Sequence, residues 1–219
     1  MLINKLKLFD IDILHSRPFE GIVIHHSATV DNITHDWDII KNYHTSYRVD
    51  YNTIANPLTQ QIPGETTFFD YQTGYNKITR RYYKIKDIET YNRSNSKIKE
   101  KPWNDIGYNF GIERVNWNLI LHFGRSLYLA GAHSGIKGNN IFNEKYIGIC
   151  VIGNFDINPP DESIYLFVTE ICKILKQSYN INNNNILGHR EIFKKVGLSQ
   201  SKTCPGKQFD MDKVRYMTK

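Results

Sequence analysis

The sequence predicts an α/β fold, one domain in which a β-sheet is covered by helices, and three observations carry that reading. Gly21 to His25, GIVIH, is a short β-branched run ending in polar residues, the pattern of a buried strand that opens onto a loop. Tyr146 to Gly153, YIGICVIG, is almost wholly apolar, as expected of a strand covered on both faces. Behind it, Ile164, Phe167, Val168, Ile171, Leu175 and Tyr179 form a helical apolar stripe. Strands and helices mixed in this order argue for a sheet flanked by helices. A chain of 219 residues with 40% hydrophobic and 13% aromatic content is long enough for one sizeable core.

Taken in order, the first strand places His25 and His26 on opposite faces, so that one can face a site while the other packs. Thr34 is a candidate N-cap, and Trp37, Ile40, Tyr43 and Tyr47 recur at helical steps, which predicts an amphipathic helix of about three turns on the outside of the sheet. From Arg48 to Lys101 the chain turns polar and tyrosine-rich, with turn signals at Asn56-Pro57 and Pro63-Gly64 and no long periodic segment. This stretch, 48–101, reads as an insertion within a single domain spanning 1–219. Tyr108 to Glu113 and Trp117 to Phe123 then alternate as two adjacent strands joined around Arg114 to Asn116. After the apolar strand, Pro159 and Pro160 stop the segment and Asp161 caps the long helix. Cys172 lies beside the apolar stripe and reads as core. Asn182 to Asn185 make a polar turn before Ile186 and Leu187 lead into His189, and a short helix is expected around Asp210 to Tyr216.

The formal charge of +6, from 28 Lys and Arg against 22 Asp and Glu, with a pI near 9.1, suits an anionic partner such as nucleic acid, a membrane surface or a charged cell wall. Charge does not choose among these. Three scattered cysteines, Cys150, Cys172 and Cys204, make no disulfide framework and point to a reducing compartment. Asp10 and Asp12 interrupt the apolar run that a signal peptide needs, and nothing reaches transmembrane length. The expectation is a soluble protein made without an export signal.

The chemistry concentrates in Ile186 to Gly206, ILGHREIFKKVGLSQSKTCPG. His189 follows a short apolar run, as at the end of a strand, and Cys204 is held in a loop by Pro205, whose ring restricts the residue before it. Imidazole and thiolate are both good Zn²⁺ ligands. Two such residues alone are weak evidence, since a free cysteine is more often a small buried hydrophobe.

Read together, IVIHHSAT at 22–29, WNDIGYNF at 103–110, GAHSGIKGNN at 131–140, IGICVIGNFD at 147–156, and GHRE with KTCPG near the end resemble the zinc-dependent N-acetylmuramoyl-L-alanine amidases of the type 2 family. That family includes phage lysozymes of the amidase kind and the peptidoglycan recognition proteins. The resemblance covers most of the chain outside both the insertion and about the first fifteen residues, and implies a central mixed β-sheet flanked by helices. It also implies a Zn²⁺ cofactor held by His25, His189 and Cys204, with a fourth tetrahedral position open for water. By the same correspondence Tyr108 and Lys202 match the two catalytic side chains, donors suited to a developing negative oxygen. Asn109 stands where the family usually has a histidine. His133 and Asn143 match residues lining the substrate groove, although the loop between them is longer than is typical. His26 is expected to pack or hydrogen-bond on the far side of its strand. Glu191 can either orient a ligand or pair with Arg190 or a nearby lysine. His15, His35, His44 and His122 carry no spacing argument.

The resemblance implies an enzyme that cleaves the amide between N-acetylmuramic acid and L-alanine in bacterial peptidoglycan. It implies no nucleic-acid partner, no membrane insertion and a monomeric chain. The alternative is a module that binds the wall without cutting it; such family members typically lack the cysteine ligand. A nucleic-acid-binding role rests on pI and tyrosines alone, with no binding motif behind it. Without a signal peptide or paired cysteines, the sequence is most like a phage endolysin, held in the host cytoplasm and acting on the wall after release.

Overall fold

The computed structural model describes residues 17–29, 37–45, 103–200 and 202–219, with the backbone of five short strands between Tyr47 and Glu100. The chain divides into two compact units, one of residues up to Trp37 with Gly107–Lys219, the other of Asp38–Ile106. The expected insertion, 48–101, falls inside the second unit.

Strand β1 (Gly21–His26) is buried at all six positions. Successive side chains of a strand alternate between faces, so this burial requires cover on both sides. Helix α1 (Trp37–Thr45) forms where the apolar spacing predicted it, but Thr34 lies outside the described residues, and Tyr47, expected in the helix, opens a strand instead. In the second unit, β2 (Tyr47–Asp50), β3 (Thr66–Phe69), β4 (Tyr75–Asn76), β5 (Arg81–Tyr82) and β6 (Ile98–Glu100) form an antiparallel sheet in the order β5-β4-β3-β2-β6. The sequence offered no periodic segment here, because runs of two to four residues are too short to display alternation.

Strands β7 (Phe110–Val115) and β8 (Asn118–Phe123) pair antiparallel, with Val115 opposite Asn118. The two residues between them, Asn116 and Trp117, have φ of 47° and 68°. Both central positions of a tight type I′ hairpin turn require positive φ. Trp117, expected as the first residue of the strand, therefore sits in the turn and is 90% exposed. Helix α2 (Ile141–Lys145) was not expected and is little more than one turn long; it runs directly into β9 (Tyr146–Val151). Helix α3 (Glu162–Tyr179) begins as predicted, with the Asp161 carboxylate accepting the Ile164 N–H, and ends at Asn180 in the left-handed region. A 3₁₀ turn at Asn183–Asn185 leads to β10 (Ile186–Gly188), then α4 (His189–Lys195) and α5 (Met211–Met217), the last capped by Asp210.

The first unit is built on a mixed sheet in the order β10-β1-β9-β7-β8. β1 lies parallel to β10 and β9, β9 parallel to β7, and only β8 reverses. One face, with Ile22, Ile24, Ile147, Ile149, Phe110 and Ile112, packs on Val168, Ile171, Cys172 and Leu175 of α3 and on Met211 and Val214 of α5. The core reading of Cys172 agrees with its burial. The opposite face, with Val23, Tyr146 and Leu187, packs on Phe142 of α2 and on Ile192 and Phe193 of α4. His25 and His189 lie at the carboxyl ends of β1 and β10. Among the described residues, no helix is long and apolar enough to cross a membrane.

Candidate metal centre

His25 stands on β1 level with Cys150 of β9, and His189 follows β10, whose Gly188 is level with Ile24. Parallel pairing thus brings two histidines far apart in sequence to the same end of adjacent strands. Their ring centroids are 4.5 Å apart. Cys204 comes from the loop after α4, its Sγ 3.7 Å from His25 Nδ1. One nitrogen or sulfur from each of His25, His189 and Cys204 lies within 4.8 Å of the others. Nitrogen at about 2.0 Å and sulfur at about 2.3 Å from one tetrahedral ion lie about 3.5 Å apart, so the observed spacing and the donor set suit Zn²⁺.

Burial sets the electrostatics. It holds His25 well below the ordinary imidazole value, with His189, His133, His26 and Lys202 adding to the effect. His189 is lowered to about 4 by burial, against the pull of the Ser134 carbonyl. His133 is lowered to about 3, again by burial, against the Tyr146 carbonyl. The rings are therefore neutral at pH 7, the form in which imidazole binds a metal. Burial also pushes the Cys204 thiol up to about 12, while the His26 backbone N–H, Lys202 and Arg190 pull it back. A cation in the centre reverses that balance, since a coordinating thiol loses its proton.

The cysteine loop is held from two sides. Arg190, the residue after the second histidine, donates its backbone N–H to the Cys204 carbonyl at 2.6 Å. Its guanidinium donates to the carbonyls of Thr203, Gly206 and Phe209. From the other side, the Asp156 carboxylate accepts the Thr203 hydroxyl and the Lys207 N–H. Gly206, at φ 116°, passes so close to Phe155 that a Cβ would lie 2.5 Å from its backbone carbon. Sequence reasoning gave Arg190 and Asp156 no role in the site, although both stand in the quoted GHRE and GNFD segments.

Tyr108 leads into β7 with its ring centroid 5.1 Å from that of His25, and hydrogen-bonds with the buried Cys150 thiol. Lys202 is exposed, and its charge reaches His25, His189 and Cys204. Asn109 is buried and structural: its side chain accepts the Gly148 N–H and donates to the Arg125 carbonyl. His133 is 6% exposed, with Nδ1 3.1 Å from His25 Nε2 and Nε2 3.2 Å from the Tyr146 carbonyl. Asn143 Oδ1 accepts the backbone N–H groups of His133 and Ser134. His26, on the far face, accepts the Phe155 N–H at 3.2 Å. Among the described residues, Glu191 pairs with neither Arg190 nor a lysine. It forms a two-pronged ion pair with Arg215 and accepts the Gly188 N–H, because the α4 geometry turns it back over the helix start toward α5. His15 and His35 lie outside the described residues.

Peptidoglycan-recognition protein LB of Drosophila melanogaster is 30% identical to this chain over 108 residues, 49% of the chain and 40% of that protein. Peptidoglycan recognition protein 1 of Bos taurus is 29% identical over 96 residues, 43% of the chain and 47% of that protein. The matched stretch thus spans less than half the length of these curated relatives. Among solved structures, the N-acetylmuramoyl-L-alanine amidase LysC from Clostridium intestinale URNW aligns at TM-score 0.47 and 18% identity, over 90% of this chain and 85% of that one. Drosophila PGRP-LB aligns at TM-score 0.45 and 18% identity, over 88% and 80%. The sequence pattern of the Amidase_2 family, N-acetylmuramoyl-L-alanine amidase, matches residues 15–207. That span takes in both histidines, the cysteine and every strand of the mixed sheet, and the chain belongs to the N-acetylmuramoyl-L-alanine amidase family.

Proposed function

We propose that the chain is a zinc-dependent N-acetylmuramoyl-L-alanine amidase that hydrolyses the amide between N-acetylmuramic acid and L-alanine in bacterial peptidoglycan. The observation that carries this reading is the convergence of His25, His189 and Cys204 at the mouth of the sheet. A bound zinc ion supplies Lewis-acid polarisation of the scissile carbonyl and an acidified water. The chain supplies the rest. Tyr108, whose ring centroid is 5.1 Å from that of His25, and Lys202, whose charge reaches His25, His189 and Cys204, are the donors proposed for the negative oxygen that forms on the amide; such groups contribute about 3 kcal/mol each. Arg190 and Asp156 hold the loop that carries Cys204, which helps to pre-position that proposed ligand. The segment 48–101 is proposed as an insertion that contacts the wall rather than the scissile bond.

Two of the relatives are named as recognition proteins, which supports a second reading, a module that binds the wall and does not cut it. Metal analysis paired with mass spectrometry of digested peptidoglycan separates the two. The amidase reading expects one zinc per chain, free muramic-acid ends and intact stem peptides. Zinc-loaded protein that binds walls and releases no stem peptide leaves only the second.

A further inference from the structure

Two neighbouring residues, His133 and Ser134, each touch one of the two histidine ligands, and both hang from a single side-chain oxygen. The Tyr146 carbonyl can only accept, so the hydrogen bond at 3.2 Å places a proton on His133 Nε2. In a neutral ring this leaves His133 Nδ1 as an acceptor. The contact at 3.1 Å then requires His25 to donate from Nε2, which leaves His25 Nδ1 bare, on the side of Cys204 Sγ. The same argument applies on the adjacent strand. His189 Nε2 lies 2.8 Å from the Ser134 carbonyl, so it carries the proton and Nδ1 is bare.

The strap that makes both contacts is fixed by Asn143. Its Oδ1 accepts the His133 N–H at 2.8 Å and the Ser134 N–H at 2.9 Å. Its Nδ2 donates to Asn140 Oδ1 at 2.7 Å, which sets the amide the right way round. Gly131 and Gly148 make the slot for the His133 ring: a Cβ on either would come within 2.6 or 2.5 Å of Cδ2.

We propose that His133 and Ser134 form one orienting strap, pinned by Asn143, that holds both histidine ligands as Nε2–H tautomers with Nδ1 turned to the metal. The strap rests on the zinc reading above, and it makes His133 and Asn143 positioning residues. Groups that orient metal ligands in this way are worth about 10- to 100-fold in metal affinity.

Two measurements test it. In zinc-free wild-type protein, long-range ¹H–¹⁵N correlation spectra should show His25, His133 and His189 all protonated on Nε2. Finding either ligand protonated on Nδ1 overturns the strap. In competition with a chromophoric chelator, His133→Phe and Asn143→Leu should bind zinc about 10- to 100-fold more weakly. Asn143→Asp, which keeps the acceptor oxygen, should stay close to wild type. Folded His133→Phe and Asn143→Leu variants with wild-type zinc affinity overturn the strap as well; if neither variant folds, the wild-type tautomers decide. A wild-type protein that binds no zinc yet shows the three tautomers overturns the zinc reading and, with it, the strap's role toward a metal, whereas zinc-binding protein with the wrong tautomers overturns the strap alone.

Discussion

Arg190 holds Cys204 through the carbonyl side of its loop. The backbone N–H of Arg190 meets the Cys204 carbonyl at 2.6 Å, and its guanidinium spans the carbonyls on either side of the Cys204-Pro205 step. The residue after one proposed ligand thus fixes the backbone of another. Arg190→Ala should destabilise the protein by on the order of 2–3 kcal/mol, because several charge-assisted hydrogen bonds vanish and buried carbonyls lose partners. Urea unfolding of zinc-free protein measures it; a change under about 0.5 kcal/mol means that Asp156 alone holds the loop.

Cys204→Ser should lose most of the bound zinc and most of the lytic activity, since a neutral hydroxyl is a poor substitute for a thiolate ligand. Metal content after dialysis and turbidity loss of a cell-wall suspension report the two effects. Full occupancy with full lytic rate would remove Cys204 from the ligand set.

Tyr108→Phe and Lys202→Ala should keep fold and zinc but lower kcat by about a hundredfold, the ordinary loss for a donor that acts on charge formed in the transition state. Steady-state kinetics on a soluble muropeptide separate the possibilities. A defect confined to KM moves that residue from catalysis to substrate binding.

Acid should weaken the zinc-free protein well before its carboxylates titrate. His133 and His189 are lowered to about 3 and about 4, whereas the unfolded chain binds these protons near pH 6.5. The unfolded state therefore holds more protons from pH 6.5 down to about 4 for His189 and about 3 for His133, and stability is complete above pH 6.5 and falls as pH drops through that window. A tenfold difference in proton affinity between the two states corresponds to about 1.4 kcal/mol. Denaturant midpoints at pH 7.5 and 5 should differ clearly in the wild type and less in His133→Phe. Equal midpoints in the wild type would mean that the rings are solvated.

The segment 48–101 carries ten Lys and Arg against six Asp and Glu, with six of the fourteen tyrosines. Replacing Arg80, Arg81, Lys84 and Lys86 with neutral residues should weaken sedimentation with intact walls and flatten its salt dependence, because exposed charges are screened within about 8 Å at physiological ionic strength. Hydrolysis of a small muropeptide should hardly change. Unaltered wall binding would leave the segment as scaffold.

What the sequence made legible follows from how far each signal extends along the chain. β1, β9 and α3 were readable because six to eighteen residues repeat one pattern. α2 and the strands of the second unit were not, since a segment of two to five residues has no period to detect. The cluster of His25, His189 and Cys204, proposed as the ligand set, was legible only through a match to a family, as no local pattern joins them. Ser134, Arg190 and Asp156 escaped for a different reason. Their work is done by backbone carbonyls or on backbone groups, and the identity of a residue says little about where its carbonyl points.

The strand order has a consequence for the history of each molecule. Among the described residues, β1 finds its strand partners in β9 and β10, and His25 and Cys204 are 179 positions apart. Closing such long loops is slow, so the first ligand to be synthesised is the last to be joined by its companions. If zinc binds as proposed, an ion that needs all three residues meets a nearly finished protein and acts as a latch on the completed sheet rather than as a seed for it.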